Sequence, residues 1–117
     1  MIKVYGIKQC STMKKAFDWL AANNLPYEFH DYKKFGISHE QIKLWAKQLG
    51  WKVLLNTKGT TWRKLPEAVR DGISEETALQ LMQEQPSLIK RPVIEAGGKL
   101  WVGYDEAQLA RLHKEAQ

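Results

Sequence analysis

The hydrophobic period changes twice within the first 32 residues, and that alternation restricts the fold more than any other feature of the chain. Ile2-Lys3-Val4-Tyr5 is a β-prone run closed by Gly6, and a loop leads from there to Cys10. From about Ser11 the spacing is helical. Met13, Ala16, Phe17 and Leu20 fall at i, i+3, i+4 and i+7, with Lys14, Lys15 and Asp18 turned outward. Asn23-Asn24 and then Pro26 end that helix. Tyr27-Glu28-Phe29-His30-Asp31-Tyr32 resumes a strand, with Tyr27, Phe29 and Asp31 on one face. The first third of the chain therefore predicts a β-α-β unit.

Ser38-His39-Glu40-Gln41 has the form of a capping box, its serine oxygen meeting an early helix N–H while Gln41 reaches back. The helix behind it is expected to bury Ile42, Trp45 and Leu49 and to stop at Gly50. Residues 51–72 carry less pattern: Asn56-Thr57-Lys58-Gly59 predicts a turn, and Pro66 the first residue of a short helix. Ser74, followed by Glu75 and Glu76, caps a helix whose Leu79 and Met82 face inward and which ends before Pro86. Val93-Ile94 and Leu100-Trp101-Val102 flank Gly97-Gly98 as a hairpin. A last helix, from about Asp105 to Lys114, is expected to bury Ala107, Leu109 and Leu112. The order is β-α-β, several helices, then β-β-α. That succession predicts an α/β chain of thioredoxin-like layout with a helical insertion in its middle. A single domain is expected over residues 1–117, with 1–33 and 87–117 as the thioredoxin-like core and 37–86 as the mainly helical insertion.

A chain of 117 residues with 44% apolar and 26% charged residues can bury a core, and it has neither repeats nor low-complexity segments. Its longest apolar runs, such as Val53-Leu54-Leu55, are too short to span a bilayer, and Lys3, Gly6 and Lys8 interrupt any leader-like stretch at the start. A cytoplasmic location and no membrane partner are expected. The net charge of +5 mildly favours anionic partners. Lys43, Lys47, Lys52, Lys58, Arg63 and Lys64 lie among Trp45, Trp51 and Trp62 with no acid between, a pattern that nucleic-acid surfaces share. Helical phase, however, turns Trp45 away from Lys43 and Lys47, so core tryptophans under a solvated basic face account for the run, and nucleic acid is not expected as a partner. His30, His39 and His113 have no ligand spacing, and no metal site is expected.

Cys10 is the only cysteine, so no internal disulfide can form. It stands at or just before a helix N-terminus, where unpaired backbone N–H groups and the positive end of the helix dipole favour an anion. Lys14 and Lys15 occupy early turns in which helix chemistry alone would prefer carboxylates, which fits a negative thiolate nearby. A thiol so placed, in a polar loop beside Gln9 and Ser11, is expected to have a depressed pKa and to act as a nucleophile. Met13 closes Cys10-Ser11-Thr12-Met13 where a dithiol motif would have its second cysteine, so an outside thiol must resolve any mixed disulfide. Ile89-Lys90-Arg91-Pro92-Val93 precedes the hairpin. In thioredoxin-like folds a proline there is usually cis and opposite the cysteine, which leaves backbone beside it to pair with a peptide-like thiol substrate and brings Arg91 near the thiolate.

The stretches YGIKQCSTMKKAFDWL, LLNTKGTTWRKL and PSLIKRPVI resemble the arsenate reductase-related family that includes the Spx regulators, and most of all its YffB-like branch of small bacterial proteins. The resemblance implies a thioredoxin-like fold, a bacterial cytoplasmic origin, Cys10 as nucleophile and a glutathione-dependent thiol reductase activity. Arsenate reductases of this family surround the thiolate with three arginines, of which only Arg91 is matched here. Asn56 stands where they carry arginine after the Leu-Leu pair, and the third position falls on Gly103. One arginine neutralises a divalent oxyanion poorly, so residual arsenate reduction is the lesser expectation. A non-catalytic Spx-like regulator, in contact with RNA polymerase, is another alternative, although Met13 removes the two-cysteine switch that many such regulators carry.

The expected activity is that of a monothiol reductase, in which Cys10 attacks a disulfide or glutathionylated substrate and glutathione, as thiol co-substrate, clears the adduct. Lys14, Lys15 and Arg91 are expected to steady the thiolate and hold glutathione's carboxylates, with backbone beside Pro92 pairing to its peptide. Lys8, Ser11, Thr12 and the loop from Asn56 to Thr60 are expected to complete the site.

Overall fold

A computed structural model describes residues 1–116, and Gln117, the last residue of the expected core segment, lies outside the described residues. In chain order the elements are β1 (Ile2–Gly6), α1 (Ser11–Ala22), β2 (Tyr27–Asp31), α2 (Tyr32–Phe35), α3 (His39–Leu49), α4 (Trp51–Leu54), α5 (Thr60–Arg63), α6 (Glu67–Asp71), α7 (Glu75–Glu84), a 3-10 turn (Pro86–Leu88), β3 (Val93–Ala96), β4 (Lys99–Val102) and α8 (Glu106–Ala116). Two units result, one of Met1–Phe35 with Arg91–Gln117 and one of Gly36–Lys90.

The first unit is built on a mixed sheet of order β2-β1-β3-β4. β1 and β2 are parallel, with Ile2 opposite Tyr27 and Gly6 opposite Asp31, and a parallel pair needs a crossover, which α1 supplies. β3 runs antiparallel to β1 with Ile94 opposite Val4, and β4 antiparallel to β3 with Trp101 opposite Ile94. Gly97 and Gly98 join them at φ 58 and 78, the left-handed pair that a two-residue hairpin turn requires. This is the expected thioredoxin-like order. Because strand side chains alternate, Ile2 and Val4 share a face with Ile94 and Trp101, and Met13 and Leu20 of α1 bury with Leu109 and Leu112 of α8 in the same core. The Phe17 ring stacks on Tyr27 at 5.3 Å and meets Phe29 edge-on at 5.1 Å, so α1 is also fixed over β2. The opposite face is more polar: Tyr5 donates a 2.5 Å hydrogen bond to Glu95 Oε1, and the His30 ring lies 5.2 Å from that of Tyr5.

The second unit is helical. α3 packs against α4 and α7, and Ile42, Trp45, Ala46, Leu54, Ala78, Leu79 and Met82 are buried. Leu55 and Ile89 form an isolated antiparallel bridge, flanked by hydrogen bonds from Asn56 N–H to Leu88 O and from Lys90 N–H to Leu54 O. No helix among the described residues is long and apolar enough to cross a membrane.

Several local expectations are revised. Tyr32 starts a helical turn instead of ending a strand, because the Asp31 carboxylate accepts the Lys33 N–H at 2.9 Å and bends the chain. Ser38 Oγ accepts from Gln41 N–H as predicted, but the fully reciprocal capping box is at Ser74 and Thr77. Pro66 is the N-cap of α6 and not its first helical residue. Leu49 is only half-buried while Ala46 is buried in its stead, and Ala107 is exposed, so the inward face of α3 is shifted and that of the last helix narrower than the spacing suggested.

Candidate functional site

The loop from β1 to α1 is short, and a close approach under it fixes where the helix begins. Gly6 lies on the face of β1 that carries Ile2 and Val4, and a Cβ built on it would stand 2.5 Å from Met13 Sδ and 2.7 Å from Met13 Cε. The thioether of α1 thus fills the place where a strand side chain would be. Cys10 is the N-cap of α1, extended at φ −149 and ψ 133, and its carbonyl accepts the Lys14 N–H at 3.0 Å. The first turn of α1 holds no acid, so no carboxylate competes for its N–H groups.

As a thiol the side chain makes no capping hydrogen bond, yet its surroundings favour the thiolate. Partial burial pushes the Cys10 pKa up. The Met13 backbone N–H, a hydrogen bond from Arg91 and the Thr12 N–H outweigh it, and the charge of Arg91 adds to them, so the thiol titrates below its ordinary value. Arg91 is half-buried at the start of the segment leading into β3, and the Arg91-Pro92 peptide bond is cis. Pro92 is buried, and its carbonyl accepts the Gly103 N–H at 2.9 Å.

The remaining expected site residues are distributed unevenly. Ser11 is exposed and Thr12 half-buried in the first turn of α1, while Lys8 and Lys15 are exposed. Lys14 points outward and pairs with Asp18 at 2.8 Å, and that carboxylate raises its pKa. The cation that acts on Cys10 is Arg91. Asn56 belongs to the helical unit, where its Oδ1 accepts the Lys58 N–H at 3.1 Å and a Cβ built on Gly59 would stand 2.9 Å from its Nδ2. Its side chain organises that turn.

Residues that the sequence did not single out stand on the polar sheet face. Tyr5, Tyr32 and Glu95 surround one another electrostatically, and Arg91 acts on Tyr32 as well as on Cys10. Burial pushes the Tyr32 hydroxyl above the ordinary tyrosine range. Glu95 is the acid of β3, and its carboxylate accepts the Tyr5 hydroxyl of β1, a signal available once the pairing of β3 with β1 is known. Gly103, at φ +80, is in a left-handed backbone conformation that favours glycine over any residue with a side chain. No group of three or more His, Cys, Asp or Glu that could hold a metal ion occurs among the described residues, and the side chain of His113 lies outside them.

Comparison with known proteins gives consistent matches. A family model described as the ArsC family matches residues 5–112. An uncharacterized protein of Haemophilus influenzae is 44% identical over 108 residues, which cover 92% of this chain and 95% of that protein. The solved structure of the YffB protein superposes with a TM-score of 0.91 at 47% identity, covering 95% of this chain and 97% of that one. The global transcriptional regulator Spx of Listeria innocua is 28% identical over 113 residues, covering 95% of this chain and 86% of the regulator.

Proposed function

Because this chain belongs to the ArsC family, we propose that it is a thiol-dependent reductase with Cys10 as its nucleophile and glutathione as its thiol co-substrate. The observation that carries the proposal is the convergence of Arg91 and the first amides of α1 on the one cysteine. The Cys10 thiolate attacks one sulfur of a disulfide or glutathionylated substrate. A new S–S bond to Cys10 forms as the substrate S–S bond breaks, and the leaving thiolate takes a proton from solvent. With no second cysteine in the chain, a glutathione thiolate must attack the adduct. That attack releases oxidised glutathione when the adduct is glutathionyl, and it regenerates Cys10 as thiolate. For a glutathionylated substrate the sum is one mixed disulfide and one glutathione giving the substrate thiol and one oxidised glutathione, with Cys10 returned as thiolate.

Arg91 serves the thiolate before attack and again as it leaves, when negative charge returns to its sulfur. Exposed Lys8 and Lys15 offer charge to glutathione's carboxylates, and backbone beside Pro92 offers peptide pairing. The action of Arg91, the residue before Pro92, on the Cys10 thiol supports this arrangement. Turnover of a glutathionylated test peptide with glutathione is expected for the native chain and not for Cys10→Ser. Retained turnover in that variant would sink the proposal. Arsenate is a poor fit as substrate, since of the three arginines that the resemblance implies for an oxyanion site only Arg91 is matched, with Asn56 and Gly103 at the other two positions.

The likeness to the Spx regulator supports a second reading, a protein that binds RNA polymerase through the same fold without turnover. Direct binding to purified RNA polymerase, equal for native protein and Cys10→Ser, together with no reductase turnover, would favour it.

A further inference from the structure

Gly6 is not required by its backbone. It is absent from the glycines with positive φ, so its conformation is open to any residue, and what excludes a side chain is space. Period-2 alternation aims the missing side chain, with Ile2 and Val4, toward the core that α1 covers. Met13 occupies that volume, with Sδ 2.5 Å and Cε 2.7 Å from an ideal Cβ, and Met13 is itself fully buried. Met13 is a flexible side chain, but it is fully buried in one cluster with Val4, Leu20 and Ile94, so its thioether yields only by repacking that core. Met13 is also the third residue of α1 after the N-cap Cys10, the position whose backbone N–H an N-cap side chain can reach, and that N–H helps to lower the Cys10 pKa. One residue therefore joins the end of β1 to the reactive centre: its side chain is seated against Gly6, and its amide acts on the thiol.

We propose that Gly6 is a positioning residue for the reactive centre, which by leaving its side-chain place to the Met13 thioether sets the first turn of α1 at the height that presents the Met13 N–H to the Cys10 sulfur. Gly6 touches no substrate and acts through Met13. The same seat explains why Met13, in the place where a dithiol motif would carry its second cysteine, is more than an inert replacement. A larger residue at 6 lifts the turn, and a shorter one at 13 leaves it unseated. The inference rests on Cys10 being the nucleophile, but it is read from the thiol itself and not from turnover.

The experiment follows alkylation of Cys10 by iodoacetamide against pH, by intact mass, in the native chain, Gly6→Ala, Met13→Val and the double variant. In Gly6→Ala the midpoint is expected to move upward, slowing alkylation near neutral pH by about three- to tenfold. The effect of Gly6→Ala is expected to shrink in the Met13→Val background, because the clash has gone. A Gly6→Ala midpoint equal to the native one, or a shift of the same size with and without the thioether, overturns the inference. If Gly6→Ala does not fold, Met13→Val alone decides: an upward shift supports the seat and an unchanged midpoint refutes it. A native midpoint at the ordinary thiol value contradicts the proposed nucleophile, whereas a low native midpoint that Gly6→Ala leaves in place contradicts only the role of Gly6.

Discussion

At Cys10 the decisive charge is a guanidinium from the far end of the chain, not the lysines that follow it in sequence. Arg91→Ala is therefore expected to move the alkylation midpoint upward, whereas Lys14→Met, which removes a solvent-exposed partner of Asp18, leaves it where it is. Equal shifts in the two variants, seen in the same pH series, would contradict that assignment. The lowered thiol pKa also links to stability. The folded chain holds the thiolate more readily than the unfolded one, so the unfolded state binds more protons between the two pKa values. Relative to Cys10→Ser, native stability should rise as pH climbs through the folded thiol pKa and level off above that of a free cysteine, about 8.5. As pH falls through the folded value that gain is lost. Urea denaturation of both proteins across pH measures it, and a flat or falling difference with rising pH would be inconsistent. Cys10 was legible because a thiol at a strand-to-helix junction has a defined electrostatic setting, and Arg91 because it precedes a proline opening a strand. The pairing of Lys14 was not legible, because helical spacing reports which way a side chain leaves the helix, not that Asp18, one turn on, will capture its ammonium.

The long periodic elements were readable and the single turns were not. α1, α3 and α7 each repeat their apolar spacing over ten or more residues, enough to define a face. α2, α4, α5 and α6 span four or five residues each, so no period develops; α4, α5 and α6 have no side-chain cap, and α4 and α5 pack against α7 and the turn that follows it. The Thr61 and Ser87 hydroxyls, 2.8 Å apart, tie α5 to the turn after α7, a contact that no local pattern could announce. Capping was half-legible: Ser74 was recognised as a cap, but its reciprocal partner is the hydroxyl of Thr77, not the glutamate or glutamine that a capping box usually shows. Ser74→Ala is expected to cost about 0.5–2 kcal/mol. A thermal scan showing no loss in that variant would mean that tertiary packing alone holds the start of α7.

For the whole molecule, the sheet unit is discontinuous in sequence, leaving after Phe35 and resuming at Arg91. The residue that acts on the thiol is thus the first residue of the returning chain, and its place depends on β3 finding β1 in register, Ile94 opposite Val4. That pairing rests on the core shared by the sheet, α1 and α8. Leu20→Ala, which empties a fully buried position in it, should cost about 2–5 kcal/mol by chemical denaturation. A loss below about 1 kcal/mol would show that α1 is not clamped as described. The central claim is that this fold holds Cys10 as a thiolate ready to exchange with glutathione. The most direct test mixes the reduced protein with oxidised glutathione across a pH series and follows intact mass. One glutathionyl adduct, forming well below the pH at which a free cysteine reacts, absent in Cys10→Ser and delayed to higher pH in Arg91→Ala, is the predicted result. No adduct until alkaline pH, with native and Arg91→Ala alike, would contradict it.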